Sequence, residues 1–241
     1  KTDLFIGSGS QFHGYAGRNA EKLIKRTEVP TPEPEWIDAV TTYHTPQGDL
    51  REVFQQSTVG KPGYEKEYLL KEPSDIRKLL SLPYEPFQFD AKGYHDADAC
   101  VGDAGLAMFG LDHPMYALQR LIGSENFALW SLTDDDLMLE AMNVFSKRIR
   151  DHAQAAISAG LGRAVFGWVG PELCIPPLMS PEAFDRYVTA LDKPLIEMIH
   201  NGGGKVWVHC HGKMRPVIGR FVGMGVDVLN PIEPPPMGDV T

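Results

Sequence analysis

The chain of 241 residues is long enough for one α/β barrel or for one to two smaller domains. Its 32 acidic and 23 basic residues give a formal net charge of −9, which argues against binding of nucleic acids or of anionic membrane surfaces. No apolar run reaches the about 18 residues of a membrane span and no signal peptide is visible, so we expect a cytoplasmic protein. Three cysteines, Cys100, Cys174 and Cys210, are too few and too scattered for a disulfide framework.

The first third of the chain combines short β-rich runs with turns. Asp3–Ile6 predicts a strand that leads into the glycine loop Gly7–Ser10, a weak candidate for phosphate binding. The prolines within residues 28–35 predict an extended linker. Two β-rich runs flank residues 45–49 and predict a hairpin, and a short helix is expected to begin near Ser74. Residues 35–85 are therefore expected to form a hairpin and helical lead-in.

The middle of the chain is expected to contain one strand followed by helices. Residues 98–103 predict a strand that ends in a glycine loop, and the apolar spacing over 114–122 predicts a helix. Thr133 is a candidate cap for a long helix, because three aspartates follow it and an apolar stripe then continues to Gly160.

The last hundred residues alternate between strands and helices with short connections. Strands are predicted over 163–169, 205–209 and 226–230, and the helix between the first two begins at Ser180, followed by proline and an acid. This alternation is typical of parallel βαβ units, so residues 96–241 are expected to supply βα repeats of a single domain that spans residues 1–241.

The central predicted strand ends in a cluster of ligand-type side chains, His209, Cys210 and His211, followed by Gly212. Because side chains alternate along a strand, the two imidazoles share one side and can hold a divalent metal, while Cys210 points to the other side and is a third candidate ligand. The alternative for each histidine is a hydrogen-bonded core residue. Cys100 and Cys174 are more typical of small, buried side chains.

Polar side chains also follow the two neighbouring strands. Glu172 comes after the first, and Asn230 and Glu233 come at the end of the third. Parallel strands deliver such ends to one edge of a sheet, where α/β proteins place their active sites. We therefore expect Glu172, Glu233 and Asn230 to be catalytic and to face the metal candidates.

The sequence from about residue 96 onward resembles the uroporphyrinogen decarboxylase superfamily, and most closely its branch of corrinoid-dependent thiol methyltransferases. The motifs that carry the resemblance are Gly123-Ser124-Glu125, Ser158-Ala159-Gly160, Ser180-Pro181-Glu182-Ala183-Phe184, His209-Cys210-His211-Gly212 and Gly225–Pro231. The resemblance implies a (β/α)8 TIM barrel, here expected to be incomplete, with its site at the carboxyl ends of the strands. It also implies zinc or another divalent transition metal as cofactor, with a corrinoid supplied through a partner protein.

The chain departs from the branch at one ligand position. The branch carries a His-x-Cys-Gly zinc motif, and His211 stands here where the motif has cysteine. A further cysteine ligand of the branch is expected beyond Thr241.

The resemblance implies a metal-dependent methyltransferase that moves a methyl group between a corrinoid or a methylated small molecule and a thiol-type acceptor. The alternatives are a uroporphyrinogen decarboxylase-type lyase and a non-catalytic ligand-binding barrel. The expected partners are a small-molecule substrate, a corrinoid protein and a second copy of the chain as a homodimer, without nucleic acid or membrane.

Overall fold

The computed structural model describes residues 4–7, 18–86 and 89–241. The described residues form strands β1 to β9 in chain order: Leu4–Gly7, Ile24–Pro30, Trp36–Thr45, Gly48–Ser57, Tyr64–Glu67, Gly105–Gly110, Val165–Val169, Lys205–His209 and Val228–Asn230. Their helices α1 to α8 are Asp75–Leu80, Lys92–Val101, Pro114–Ile122, Ser124–Thr133, Asp135–Ala156, Pro181–Phe184, Ala190–Asn201 and Ile218–Met224. Single 3-10 or π turns occupy Arg18–Leu23, Gly102–Ala104, Ile157–Leu161, Pro171–Cys174 and Asp185–Thr189.

The chain divides into two compact units. One contains the described residues within 1–14, 87–117 and 142–241, and the other contains those within 15–86 and 118–141. The prediction of a single domain over 1–241 thus remains a prediction.

The first unit is built on a five-stranded parallel sheet in the order β1-β6-β7-β8-β9. Alternate residues bury one face of this sheet, as in β8, where Val206 and Val208 are fully buried while Trp207 and His209 are only partly covered. Helix α7 packs on β8, and His152 of α5 lies with its ring 5.7 Å from that of Phe109 in β6. The α/β class and the parallel strands agree with the sequence-based prediction.

A closed barrel does not form within the described residues. A (β/α)8 barrel needs eight strands to close, whereas β1 and β9 are the two edges of an open sheet. The described residues thus show an open parallel sheet of five strands, and the predicted TIM barrel remains an expectation. The loop predicted at Gly7–Ser10 lies, from residue 8 onward, outside the described residues.

The second unit contains an antiparallel sheet in the order β2-β3-β4-β5. The predicted hairpin is confirmed, because β3 and β4 pair along their length up to Thr45 and Gly48. The predicted linker over 28–35 was wrong in its first part, since β2 continues to Pro30 and pairs with β3. Proline is tolerated there because β2 is an edge strand, where a missing N–H leaves no ladder bond unmade.

Two other predictions in the middle of the chain need correction. Residues 98–101 belong to helix α2, not to a strand, and Gly102 ends that helix with a positive φ of 49°. The alanines at 97 and 99 favour a helix, and a four-residue run is too short for periodicity to decide. Thr133 does not cap α5, because it closes α4 and donates its hydroxyl to the Leu129 carbonyl.

The helix predicted at Ser180 is confirmed together with its cap. The Ser180 hydroxyl accepts a hydrogen bond from the Ala183 amide, and Pro181 occupies the first turn. The helical run then continues through the π turn at 185–189 into α7, which buries Ile196 and Ile199. This run connects β7 to β8 and so places their carboxyl ends side by side.

Candidate functional site

The register of the sheet brings three strand ends together. Val169 of β7 pairs with His209 of β8, and His209 pairs with Asn230 of β9. Because the three strands are parallel, the residues that follow them leave the sheet at the same edge. His209, His211, Asn230 and Glu233 meet there, as the sequence pattern predicts.

The two imidazoles are direct neighbours. The ring centroids of His209 and His211 lie 4.5 Å apart, with an interplanar angle of 78°. Their shared orientation follows from the period of two along an extended chain, and Cys210, between them, is fully buried. The side chain of His211 is 56% exposed, so the pair is accessible to a ligand.

Each imidazole is held through its Nδ1 atom by an oxygen from the β9 end. His209 Nδ1 lies 3.2 Å from Asn230 Oδ1, and His211 Nδ1 lies 3.2 Å from Glu233 Oε1. These oxygens accept hydrogen bonds and do not donate them, so each Nδ1 supplies the proton, and in a neutral ring the lone pair lies on Nε2. The arrangement leaves both Nε2 atoms able to accept a proton or to coordinate a metal.

The carboxylate of Glu233 is fixed on both oxygens. While Oε1 faces His211, Oε2 accepts a hydrogen bond of 2.9 Å from the Gly212 amide. Gly212 adopts a φ of +100°, a conformation that side-chain-bearing residues rarely take, and this turns its amide toward Glu233. The amide, together with His211, lowers the pKa of Glu233 and keeps this side chain anionic.

A tryptophan ring packs against one of the two imidazoles. The Trp207 ring stacks on His209 with centroids 5.6 Å apart and an interplanar angle of 29°. Trp207 pairs with Gly167 of β7, and a Cβ at Gly167 would collide with Met108 Sδ and lie 3.1 Å from Trp207 Cε3. Aromatic stacking and the bond to Asn230 thus fix His209 in two directions.

Glu172 and Cys210 interact with their immediate surroundings, and their catalytic and metal-binding roles remain predictions. The Glu172 carboxylate accepts a hydrogen bond of 2.8 Å from the Gly170 amide and so closes the turn that follows β7. Burial raises the pKa of the Cys210 thiol, and the negative charges of Glu172 and Glu233 raise it further. The Cys210 side chain thus lies in the packing layer, on the side opposite the two imidazoles.

Among residues 4–7, 18–86 and 89–241, no group of three or more histidine, cysteine or acidic side chains is arranged to hold a metal ion. The two imidazoles supply two nitrogen donors, whereas a zinc site in a protein takes at least three protein ligands. The described residues thus do not by themselves fit a complete zinc centre.

A buried polar cluster lies near this edge and gives little signal in the sequence. His113 follows β6, Trp168 lies in β7 and Asp192 lies in α7, and none of the three is more than 3% exposed. Each stands alone in a different segment without a motif around it. Trp168 belongs to the predicted strand over 163–169, but that prediction gives no partner for its indole.

Comparison with known proteins supports the fold. The structure is similar to that of a methyltransferase from Methanosarcina mazei, with a TM-score of 0.51 and 18% sequence identity. The match covers 70% of this chain and 49% of the other, so the chain spans about half the length of that solved structure. No known family profile matches the sequence, and no curated protein sequence matches it. At this identity the similarity concerns the fold alone.

Proposed function

We propose that the protein is a methyltransferase that moves a methyl group from a corrinoid or a methylated small molecule to a thiol-type acceptor. The observation that carries the proposal is the pair of neighbouring imidazoles at the carboxyl edge of a parallel sheet, each held through Nδ1 by an oxygen atom. The methyltransferase fold of the Methanosarcina mazei protein adds support at the level of reaction class.

In this proposal His211 is the general base. Its Nε2 takes the proton of the acceptor thiol as the sulfur attacks the methyl carbon; the new S–C bond forms while the bond between carbon and leaving group breaks, and that group keeps the electron pair. Glu233 orients the imidazole through Nδ1 and stabilises the imidazolium that forms, as a carboxylate does in a catalytic triad. His209, which contacts Asn230, lies beside His211 and borders the position of the acceptor thiol.

If the zinc or other divalent metal that the sequence motif implies were bound, His209 and His211 would hold it, and it would supply the acceptor thiolate in place of the general base. A third protein ligand for it must come from outside the described residues. No step of the proposal depends on the metal. The proposal also includes a corrinoid partner protein, a second copy of the chain as a homodimer, and a cytoplasmic location. None of the helices in the described part of the chain has the length and apolar character needed to cross a membrane.

The test is a methyl-transfer assay on the purified protein with methylcobalamin as donor and a panel of small alkyl thiols as acceptors. We expect thioether formation by mass spectrometry together with demethylation of the corrinoid in its absorption spectrum. His211→Ala should lower the rate by about 100-fold or more, the range expected for loss of a general base.

His44→Ala is the matched control, because His44 also faces a carboxylate, Asp49 at 3.0 Å, but belongs to the other unit. Its rate should equal that of the wild type. Methyl transfer that is unaffected by His211→Ala contradicts the proposed base. Conversion of uroporphyrinogen to coproporphyrinogen, without thioether formation, would instead identify a decarboxylase.

A further inference from the structure

A cluster of three buried side chains ties β7 to its neighbours just below the carboxyl edge. The Trp168 indole Nε1–H donates a hydrogen bond of 3.1 Å to Asp192 Oδ2, and Asp192 Oδ1 lies 3.2 Å from His113 Nε2. On its other side, His113 Nδ1 accepts a hydrogen bond of 3.3 Å from the Met115 amide. The cluster therefore joins β7, α7 and the segment between β6 and α3.

The imidazole of His113 is packed directly against the turn that follows β7. Gly170 has a φ of +135°, and a Cβ at this position would lie 2.7 Å from His113 Cβ, 2.9 Å from Cγ and 3.1 Å from Nδ1. The backbone of Gly170 therefore lies close to the His113 side chain, and the Gly170 amide donates a hydrogen bond to the Glu172 carboxylate. Any movement of the ring changes the space available to this turn.

Burial of the His113 imidazole lowers the stability of the folded state, because one of its nitrogen atoms has no hydrogen bond within the described part of the chain. Its side chain is 1% exposed, and Nε2, although 3.2 Å from Asp192 Oδ1, makes no well-formed hydrogen bond to any described residue. A buried polar atom in this state calls for an explanation, because most such atoms are fully satisfied in folded proteins. A core role alone would be served better by an apolar side chain of similar size.

We propose that His113 is a positioning residue for Glu172: its side chain, packed against Gly170, fixes the turn after β7 and thereby the carboxylate of Glu172 at the edge of the site. This inference rests on the proposed function in one respect: the expected change in methyl-transfer rate requires that methyl transfer take place at this edge of the sheet. The contacts among the residues, and their effect on the turn, do not depend on it.

The experiment compares full-length His113→Ala, His113→Gln and His152→Ala with the wild type. His152→Ala is the matched control, because it also truncates a buried histidine of the same unit, one that packs on Phe109. Amide hydrogen exchange is measured for peptides that cover residues 169–174 and 205–209, and kcat and KM are measured for methyl transfer.

We expect His113→Ala to speed exchange over 169–174 by about tenfold or more, with 205–209 unchanged. Misplacement of a group at the site by about 1 Å costs up to about 100-fold in rate, so kcat should fall by about tenfold to 100-fold while KM stays nearly constant. Glutamine keeps most of the side-chain volume beside Gly170, so in His113→Gln both the exchange over 169–174 and kcat should stay close to the wild-type values. His152→Ala should lower the melting temperature and leave the exchange of 169–174 as in the wild type.

Unchanged exchange over 169–174 in His113→Ala, or an equal increase in His152→Ala, would overturn the proposal. If His113→Ala does not fold, Trp168→Phe and Asp192→Asn each remove one contact of the cluster, and the same increase is expected from both. If the wild type transfers no methyl group, the proposed function fails, whereas the exchange measurements still decide the role of His113 in the turn.

Discussion

At the scale of single residues, His209, Cys210 and His211 are adjacent in sequence but have opposite environments. The histidines reach the accessible edge of the sheet, whereas Cys210 is fully buried and its thiol has a raised pKa. Burial likewise raises the pKa of Cys174 to about 12. Thiolates react with thiol reagents and thiols do not, so the two buried cysteines should be inert.

We therefore expect the native protein to react with Ellman's reagent at Cys100 alone, which is exposed, and to show its three thiols only after denaturation. The absorbance of the released thiolate measures this count. Rapid reaction of Cys210 in the native protein would mean that its sulfur is accessible, as a metal ligand at the site would be.

Glu233 provides a second prediction at this scale. Glu233→Gln keeps the size of the side chain and an oxygen for the Gly212 amide, but removes the negative charge that faces His211. Loss of such an orienting partner typically lowers activity by about 10-fold to 100-fold. Methyl-transfer rates should fall within this range while the circular dichroism spectrum is unchanged, and wild-type rates in Glu233→Gln would remove Glu233 from the mechanism.

At the scale of elements, the close approach of three strands depends on Gly167. A methyl group added by Gly167→Ala meets Met108 Sδ and the Trp207 ring, so one of these side chains must move. Overpacking of this kind costs about 1 to 3 kcal/mol. We expect a lower free energy of unfolding by urea denaturation and a shifted fluorescence emission from Trp207. Gly219→Ala is the control, because nothing lies within 4 Å of a Cβ at that position.

The opposite ends of β8 and β9 are joined by Asp227. Its carboxylate accepts hydrogen bonds of 2.8 Å each from Lys205 Nζ, His200 Nε2 and the Val206 amide. Partial burial on its own raises the pKa of Asp227, but these donors outweigh burial and lower the pKa from 3.8 to about 2. The native state therefore favours the ionised carboxylate.

Because the folded pKa lies below the unfolded value, the stabilisation from Asp227 is complete above about pH 4 and is lost as the pH falls toward 2. With this side chain 21% exposed, solvent screening limits the effect, and Asp227→Asn should cost about 1 kcal/mol at neutral pH. Urea unfolding at pH 7 and pH 3 measures it. The difference between the variant and the wild type should shrink at pH 3, and a constant difference would contradict the assignment.

At the scale of the whole molecule, the net charge of −9 sets the long-range electrostatics. A polyanion such as duplex DNA is repelled by a surface of this sign, since nucleic-acid binding depends on phosphate neutralisation by lysine and arginine. Fluorescence anisotropy with a labelled duplex at about 0.15 M salt should show no binding. Submicromolar affinity under these conditions would require a concentrated basic patch that the charge balance does not indicate.

The sequence by itself determined the features that depend on local periodicity. The alternating helices and strands of the last hundred residues fix the parallel strands, and the period of two fixes His209 and His211 on the side opposite Cys210. The cap at Ser180 and the hairpin at 45–48 also follow from residue types at short range.

Tertiary structure alone decided which oxygens hold the imidazoles, that Glu172 closes its own turn, and that His113 meets Asp192. These contacts join residues far apart in sequence, and their geometry depends on the register of neighbouring strands and on how the helices pack, which no local pattern encodes. Residues 98–101, by contrast, form a helix that the sequence did not predict, because a run of four residues is too short for periodicity to distinguish strand from helix.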